Sequence, residues 1–405
     1  MLRTDKKRIT SMGALLAVVA AMTLAPVTLA DFDQALDNFK RGKYVEAAAG
    51  FQEIVDQQPE YDYGWFLLGM SFLKMKKFDD SESSIQKAID LNGERFEYHL
   101  GLANARYKAK RYAKTVAALK TAESLATDAS SQFSLYRLRG LSYIALEKWA
   151  DAAQDLDKAQ KIKKDPVVLD RLSIGYYKLR HYDKVLPVLR QAIQAKANDA
   201  ALLRRMTNTL LNLGAETTSA SKKSSYFKEA LTTAENLQRI KGGDSDVTNM
   251  VGRAAFGAKN YPKAEQAFRS VIAQKPDYCY AMVNLGKVYI AMERWVDADG
   301  ILADAAKCAP KMAVVYESRG FAMMKQKKLK AAIAQFNKAL EIKPSDSTRK
   351  MIETCNNNLQ VASENQAMAD REAAQAADAA KAQAEYDEAQ RKAKEWEEAQ
   401  RKRDD

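Results

Sequence analysis

In the stretch NLGKVYIAMERWVDADGILADAAKCAP, residues 284–310, large residues stand at Leu285, Tyr289, Trp295 and Leu302, with small residues at Gly286 and Ala298 and a proline at Pro310. Apolar positions three or four apart predict helix, and the pattern changes phase near Trp295, so two helices joined by a turn are expected. The same pattern runs through the whole chain. Small or short residues recur at Ala35, Gly69, Ala103, Gly140, Ser173, Thr207, Gly252, Gly286 and Gly320, at intervals of 34, 34, 37, 33, 34, 45, 34 and 34 residues. In most repeats a second small or short residue follows twelve positions later, as at Ala47, Ser81, Thr115, Ala152, Val185, Ala264, Ala298 and Ala332. Four repeats end on a proline in register: Pro59, Pro276, Pro310 and Pro344.

Two helices that cross tightly need small side chains where they touch, with larger ones filling the groove around the contact. Aromatic residues at the predicted turns (Tyr44, Phe78, Tyr112, Trp149, Tyr182, Tyr261 and Trp295) are placed to wedge the paired helices. A terminal proline cannot continue a helix and marks the step to the next repeat. The chain resembles the tetratricopeptide repeat family, whose unit is a 34-residue helix–turn–helix, over about residues 28–346 and nine repeats. The resemblance implies an all-α fold, a right-handed superhelical solenoid, and protein or peptide partners held on the surface lined by the first helices. Repeats one to six are placed at 31–241 and repeats seven to nine at 244–346.

Departures from the pattern carry their own expectations. Pro187 inside the second helix of repeat five and Thr115 in repeat three suggest bent or loosely packed helices. Repeat six, LNLGAETTSASKKSSYFKEA, inserts about eleven residues rich in Ser, Thr and Lys between its helices, which reads as a long loop. The glycines of KGGDSD (241–246) suit a hinge between repeats six and seven. Residues 347–360 read as a helix capping the last repeat, as an open stack requires. Residues 361–405 contain no Gly or Pro and are built of Ala, Glu, Gln, Lys and Arg, a helical or coiled-coil tail. Its sparse seam, Ala379, Ala382, Tyr386, Ala389, Ala393 and Trp396, has coiled-coil spacing, so self-association through 361–405 and a solvated single helix both remain open.

The N-terminus is of another kind. MLRTDKKR is basic, the following apolar run ends in Thr28-Leu29-Ala30, and Asp31 comes next, the pattern of a cleaved signal peptide over 1–30. The expectation is a periplasmic or secreted protein, with an uncleaved inner-membrane anchor as the alternative. The formal net charge of +12 falls to +9 without those residues, which hold four Lys/Arg and one Asp. Such a surface suits anionic envelope or cell-wall partners. Basic residues spread along helices, without interleaved aromatics, do not suit nucleic acid. Charged residues at 29% and aromatics at 9% fit a helical, water-exposed chain.

Candidate chemistry is sparse. The two histidines, His99 and His181, are far apart and build no zinc site by local spacing. His99 stands where the repeat carries a packing residue. No phosphate-loop, dinucleotide, zinc-protease or haem-attachment string occurs, so no enzyme, metal site or cofactor is expected. Among Cys279, Cys308 and Cys355, export permits a disulfide and Cys279 with Cys308 is the pair to test, while three unbridged thiols remain equally open. Register on the inner surface gives a candidate groove of Phe32, Leu36 and Phe39, then Tyr63, Phe66, Met70 and Leu73, then Leu100, Asn104 and Tyr107. Later repeats add Arg204, Asn208, Asn249, Arg253, Val283, Lys287 and Ile290, a more polar and basic set. Arg204 with Asn208 is similar to the first element of the family's clamp for an acidic C-terminus, but Met250 and Tyr280 do not continue it. The function expected is an exported scaffold for assembly of a cell-envelope complex. The alternatives are a periplasmic chaperone for unfolded clients and a cell-wall or polysaccharide adaptor.

Overall fold

The computed structural model describes residues 29–404. The predicted leader lies outside them, except that Leu29 and Ala30 open the first helix. Among the described residues all regular structure is helical, and they divide into two compact bodies on either side of the step from 181 to 182. The N-terminal body holds α1 (Leu29–Lys40), α2 (Tyr44–Gln57), α3 (Asp62–Lys74), α4 (Phe78–Leu91), α5 (Phe96–Lys108), α6 (Tyr112–Thr121), α7 (Ala129–Ala145), α8 (Trp149–Ile162) and α9 (Pro166–Lys178). The C-terminal body holds α10 (Tyr182–Ala195), α11 (Ala200–Glu216), α12 (Ala220–Lys241), α13 (Ser245–Gly257), α14 (Tyr261–Gln274), α15 (Cys279–Ala291), α16 (Trp295–Cys308), α17 (Ala313–Lys325), α18 (Leu329–Ile342) and α19 (Asp346–Asp404). Within each body every helix packs on the next, and alternate helices such as α3 and α5, or α13 and α15, also touch. This is the layered helix-pair packing of the repeat.

The tight crossing has the cause the spacing suggests. A Cβ added to Gly286 on α15 would lie 2.6 Å from Cγ of Leu302 on α16, so the backbones meet closer than any side chain at that position allows. The turn from first to second helix is built the same way in every repeat but the sixth. Lys76, Lys110, Glu147, Arg180, Lys259, Glu293 and Lys327 all take left-handed backbone, with φ between 55° and 63°. At Lys76 the amide donates to the Leu73 carbonyl at 3.1 Å, and the next amide, Lys77, donates to Phe72 at 2.9 Å. That is a Schellman closure of the helix, which glycine usually serves. Only the first turn uses glycine, Gly42 at φ 78°. Across several turns an aromatic from the first helix meets one opening the second, as with Phe39 and Tyr44 at 5.6 Å or Tyr107 and Tyr112 at 5.5 Å.

Several expectations change. The insertion in repeat six is helical rather than a loop: α11 runs 17 residues and α12 runs 22, with only 217–219 between them. Ser219 caps α12 by accepting from the Lys222 amide, and Phe227 supplies the tertiary anchor. Its ring fills the space over Gly214 and Gly257, where an added Cβ would come within 2.9 and 2.2 Å. On either side of Gly242 and Gly243, Leu237 and Val247 share one apolar cluster. Pro187 does not interrupt α10, which is continuous with Leu186, Val188 and Leu189 buried. Thr115 is wholly buried, its hydroxyl donating to the Arg111 carbonyl. The capping helix and the tail are one 59-residue helix, α19, whose Cys355 is buried against the cluster of Phe336 and Met323.

One polar cluster inside the N-terminal body was not foreseen. Arg139, 5% exposed, bonds both oxygens of Asp155 at 2.6 and 3.0 Å and both of Glu123 at 2.7 and 3.0 Å. Burial works against the guanidinium charge, and the two carboxylates overcome it, so its pKa is raised. The same bonds, chiefly the hydrogen bond, hold the Glu123 carboxyl below the usual carboxylate range. Arg139→Ala should strand Asp155 and cost about 3–5 kcal/mol in denaturant unfolding. The Glu123 contribution is present above the ordinary carboxylate value and is lost as pH falls through the depressed one. Of the turn residues, Lys327→Gly should raise stability by about 1 kcal/mol in denaturant unfolding, since every side chain with a Cβ resists left-handed backbone, and the β-branched Lys327→Val should lower it.

Candidate partner-binding faces

In the N-terminal body the first helices carry aromatic side chains to one face, where they meet each other. Phe32 on α1 lies 6.3 Å from Tyr63 on α3, Tyr63 stacks on Phe66 at 6.1 Å, and Phe66 stacks on Tyr98 of α5 at 4.7 Å. The ladder needs Gly101 on α5, since a Cβ there would meet the Phe66 ring at 2.8 Å. Leu36, Phe39, Tyr63 and Phe66 are half-buried against the cluster of Phe51 and Leu67. Met70 reaches Gly101, and Leu73 is half-buried. Asn104 donates to the Leu100 carbonyl of its own helix. Tyr107 is pushed up by burial and by Tyr112, with Arg137 and Arg171 pulling the other way. The sequence-predicted aromatics are therefore together, and they spend part of their surface on one another. Tyr98 completes the ladder and was missed, because its position reads as core. Arg95 lies over its ring at 5.5 Å.

In the C-terminal body the predicted residues fall into two places. Arg204 lies 3.6 Å from Asp244 and points an amino group at the Met250 sulfur. Asn208 is half-buried. Asn249 is buried, donates to the Tyr278 hydroxyl at 3.4 Å and keeps its own carbonyl oxygen without a partner. Arg253 is exposed beside Tyr278, whose hydroxyl burial and Asp246 push up. Val283 is buried and shares a cluster with Met282 and Ala305.

Lys287 lies elsewhere, in a cavity of about 370 Å³ walled by Phe256, Ile290, Phe321 and Met351. Burial holds its ammonium below the usual lysine value, with Glu317 opposing. Glu317 is already engaged, accepting from the Thr348 hydroxyl at 2.8 Å. Among the described residues Lys287 makes no hydrogen bond or ion pair. Glu317 and Ser318 also line the cavity, so one cation and one carboxylate stand among apolar side chains, which suits a ligand presenting an apolar group beside a polar one. Met351 comes from α19, far along the chain, so the spacing of the repeats does not reveal this cavity.

The remaining candidates resolve simply. Cys279 and Cys308 are bonded, with Cα atoms 5.6 Å apart, and Cys355 is a buried free thiol. The buried His99 ring bonds the Gly93 carbonyl at 2.9 Å. No three His, Cys, Asp or Glu gather as metal ligands among the described residues, and no described helix is long and apolar enough to cross a membrane.

Tetratricopeptide-repeat family profiles match residues 66–131, 255–316 and 313–346. No curated protein matches the chain. Solved structures with similar folds include YrrB, described as a TPR protein with an unusual peptide-binding site, at 21% identity over 49% of this chain and 96% of that one, TM-score 0.42. A C-terminal part of a TPR repeat-containing protein from Cytophaga hutchinsonii is 15% identical over 64% of this chain and 99% of that one, TM-score 0.45. MamA from Desulfovibrio magneticus RS-1 is 19% identical over 45% and 96%, TM-score 0.39.

The state of Lys287 has a measurable cost. Its lowered pKa means that the charged form burdens the fold at neutral pH, and that the burden lifts as pH rises through the depressed value. Lys287→Met should raise the melting temperature at neutral pH, with the gain shrinking in alkaline buffer.

Proposed function

We propose that this chain, a tetratricopeptide-repeat protein, is a scaffold that binds other proteins through the exposed faces of its first helices. The observation that carries the reading is the cavity at Lys287, where a half-buried ammonium without a hydrogen bond and the Glu317 carboxylate stand among Phe256, Ile290, Phe321 and Met351. The partner it suits is a segment with an apolar side chain beside an acidic group. The half-exposed rings of Phe32, Tyr63 and Phe66, backed by the buried Tyr98, support a second contact, with an apolar stretch of a client. That ladder also favours the alternative of a chaperone holding unfolded segments. The leader-like residues 1–30 support placement outside the cytoplasm, and with it a role in assembling a cell-envelope complex.

The test is a crosslinked pull-down from envelope extract with the wild-type chain and two variants, Lys287→Glu and Phe66→Leu. The scaffold reading expects a discrete set of proteins whose capture drops at least about tenfold with Lys287→Glu, since like charge meets the acidic group. A chaperone instead captures a broad set, reduced by Phe66→Leu and indifferent to Lys287→Glu. Equal capture by all three proteins removes both faces from the proposal.

A further inference from the structure

Beyond its first four turns, α19 packs on no other helix among the described residues, yet it carries four large apolar residues in the open. Val361, Met368, Tyr386 and Trp396 are 53%, 58%, 59% and 65% exposed. Val361, Met368 and Trp396 are whole heptads apart, on one line with Gln375, Ala382 and Ala389. Tyr386 stands on the neighbouring line with Ala379 and Ala393, so the two lines make the a/d stripe of a coiled coil. A solitary solvated helix has no use for such a stripe.

We propose that α19 pairs with α19 of a second copy of this chain, and that the two helices run antiparallel. The argument is steric. In a parallel pair, Trp396 would face Trp396 and Tyr386 would face Tyr386, while the intervening layers would be alanine on alanine, alternately swollen and hollow. Antiparallel pairing puts each a position opposite a d position. Centred on residues 386 and 389, it sets Trp396 against Ala379 of the partner copy, Tyr386 against Ala389, and Ala382 against Ala393. Every large ring then meets a small residue, which keeps the interhelical distance even. The flanking charges agree, because Glu385 falls beside Lys392 of the partner copy, twice per pair. Lys392 rests on Glu388 of its own helix at 2.9 Å and keeps donors for a second carboxylate. The overlap covers residues 371–404, about 50 Å, so it covers Tyr386 and Trp396 and leaves Val361 and Met368 outside, and it puts residue 360 of the two copies about 80 Å apart at opposite ends of the pair.

The full chain should sediment as a dimer at micromolar concentration, and Trp396→Ala should weaken that dimer about tenfold or more. Direction is read by mild oxidation of Ala382→Cys and Ala393→Cys, which lie on the exposed tail and leave the repeats untouched. Neither variant alone should give a disulfide-linked dimer, whereas an equimolar mixture should link about half of the protein, the share of mixed pairs. Crosslinking of either variant alone would mean a parallel pair and overturn the proposal. A monomeric full chain, or a dimer indifferent to Trp396→Ala, would overturn it as well.

Discussion

Each helix pair is organised by a steric demand at its crossing point. Gly69, Gly140, Gly252, Gly286 and Gly320 stand opposite Ile85, Leu156, Phe268, Leu302 and Phe336, and an added Cβ would come within 2.5–2.7 Å of each of those side chains. Helices that approach this closely leave almost no chain for reversing direction. The reversal therefore closes on the helix itself, with one residue in left-handed backbone and two carbonyls satisfied by the amides that follow. Because the turn is short and recurs in every pair but α11–α12, the first helices of neighbouring repeats lie side by side within each body. Their outward residues then form continuous faces. The aromatic ladder and the Lys287 cavity are later consequences of that contact.

The proportions of stability and function differ between the two faces. The ladder from Phe32 to Tyr98 is half committed to the fold, since each ring buries area against the next, and any partner there adds to contacts that already exist. At Lys287 burial opposes the charge and Glu317 offsets that only in part, while Thr348 donates to the same carboxylate. Arg139 is the useful contrast. It is more deeply buried, yet both its carboxylates are in place, and it belongs to the fold alone.

The sequence made the repeat legible because small residues at 34-residue spacing are a direct image of the helix crossings. It did not show the turn conformation, since Lys, Arg or Glu in left-handed backbone carries no marker where glycine would. Repeat six misled through composition. A run of Ser, Thr and Lys has modest helix propensity, but packing of Phe227 between Gly214 and Gly257 and the Ser219 cap decide the outcome. The Lys287 cavity was half legible: its cation and Ile290 follow from register, while Met351 arrives from a helix beyond the last repeat. The groove residue Asn249 shows the limit of register alone, because one helical position separates a surface amide from a buried one.

The lengthened pair in repeat six alters the outline of the C-terminal body. Phe227 lies on Gly257, the last residue of α13, so residues 220–226 of α12 run past the end of their neighbour. They stand free, exposed from Ala220 to Ser225 and carrying Lys222 and Lys223. A periodic surface has no natural origin, and a long ligand lying along it could slide by one repeat and find nearly the same contacts. A spur at one place removes that degeneracy: it gives the array a fixed reference mark, against which anything bound along the edge of that body is counted in or out of register.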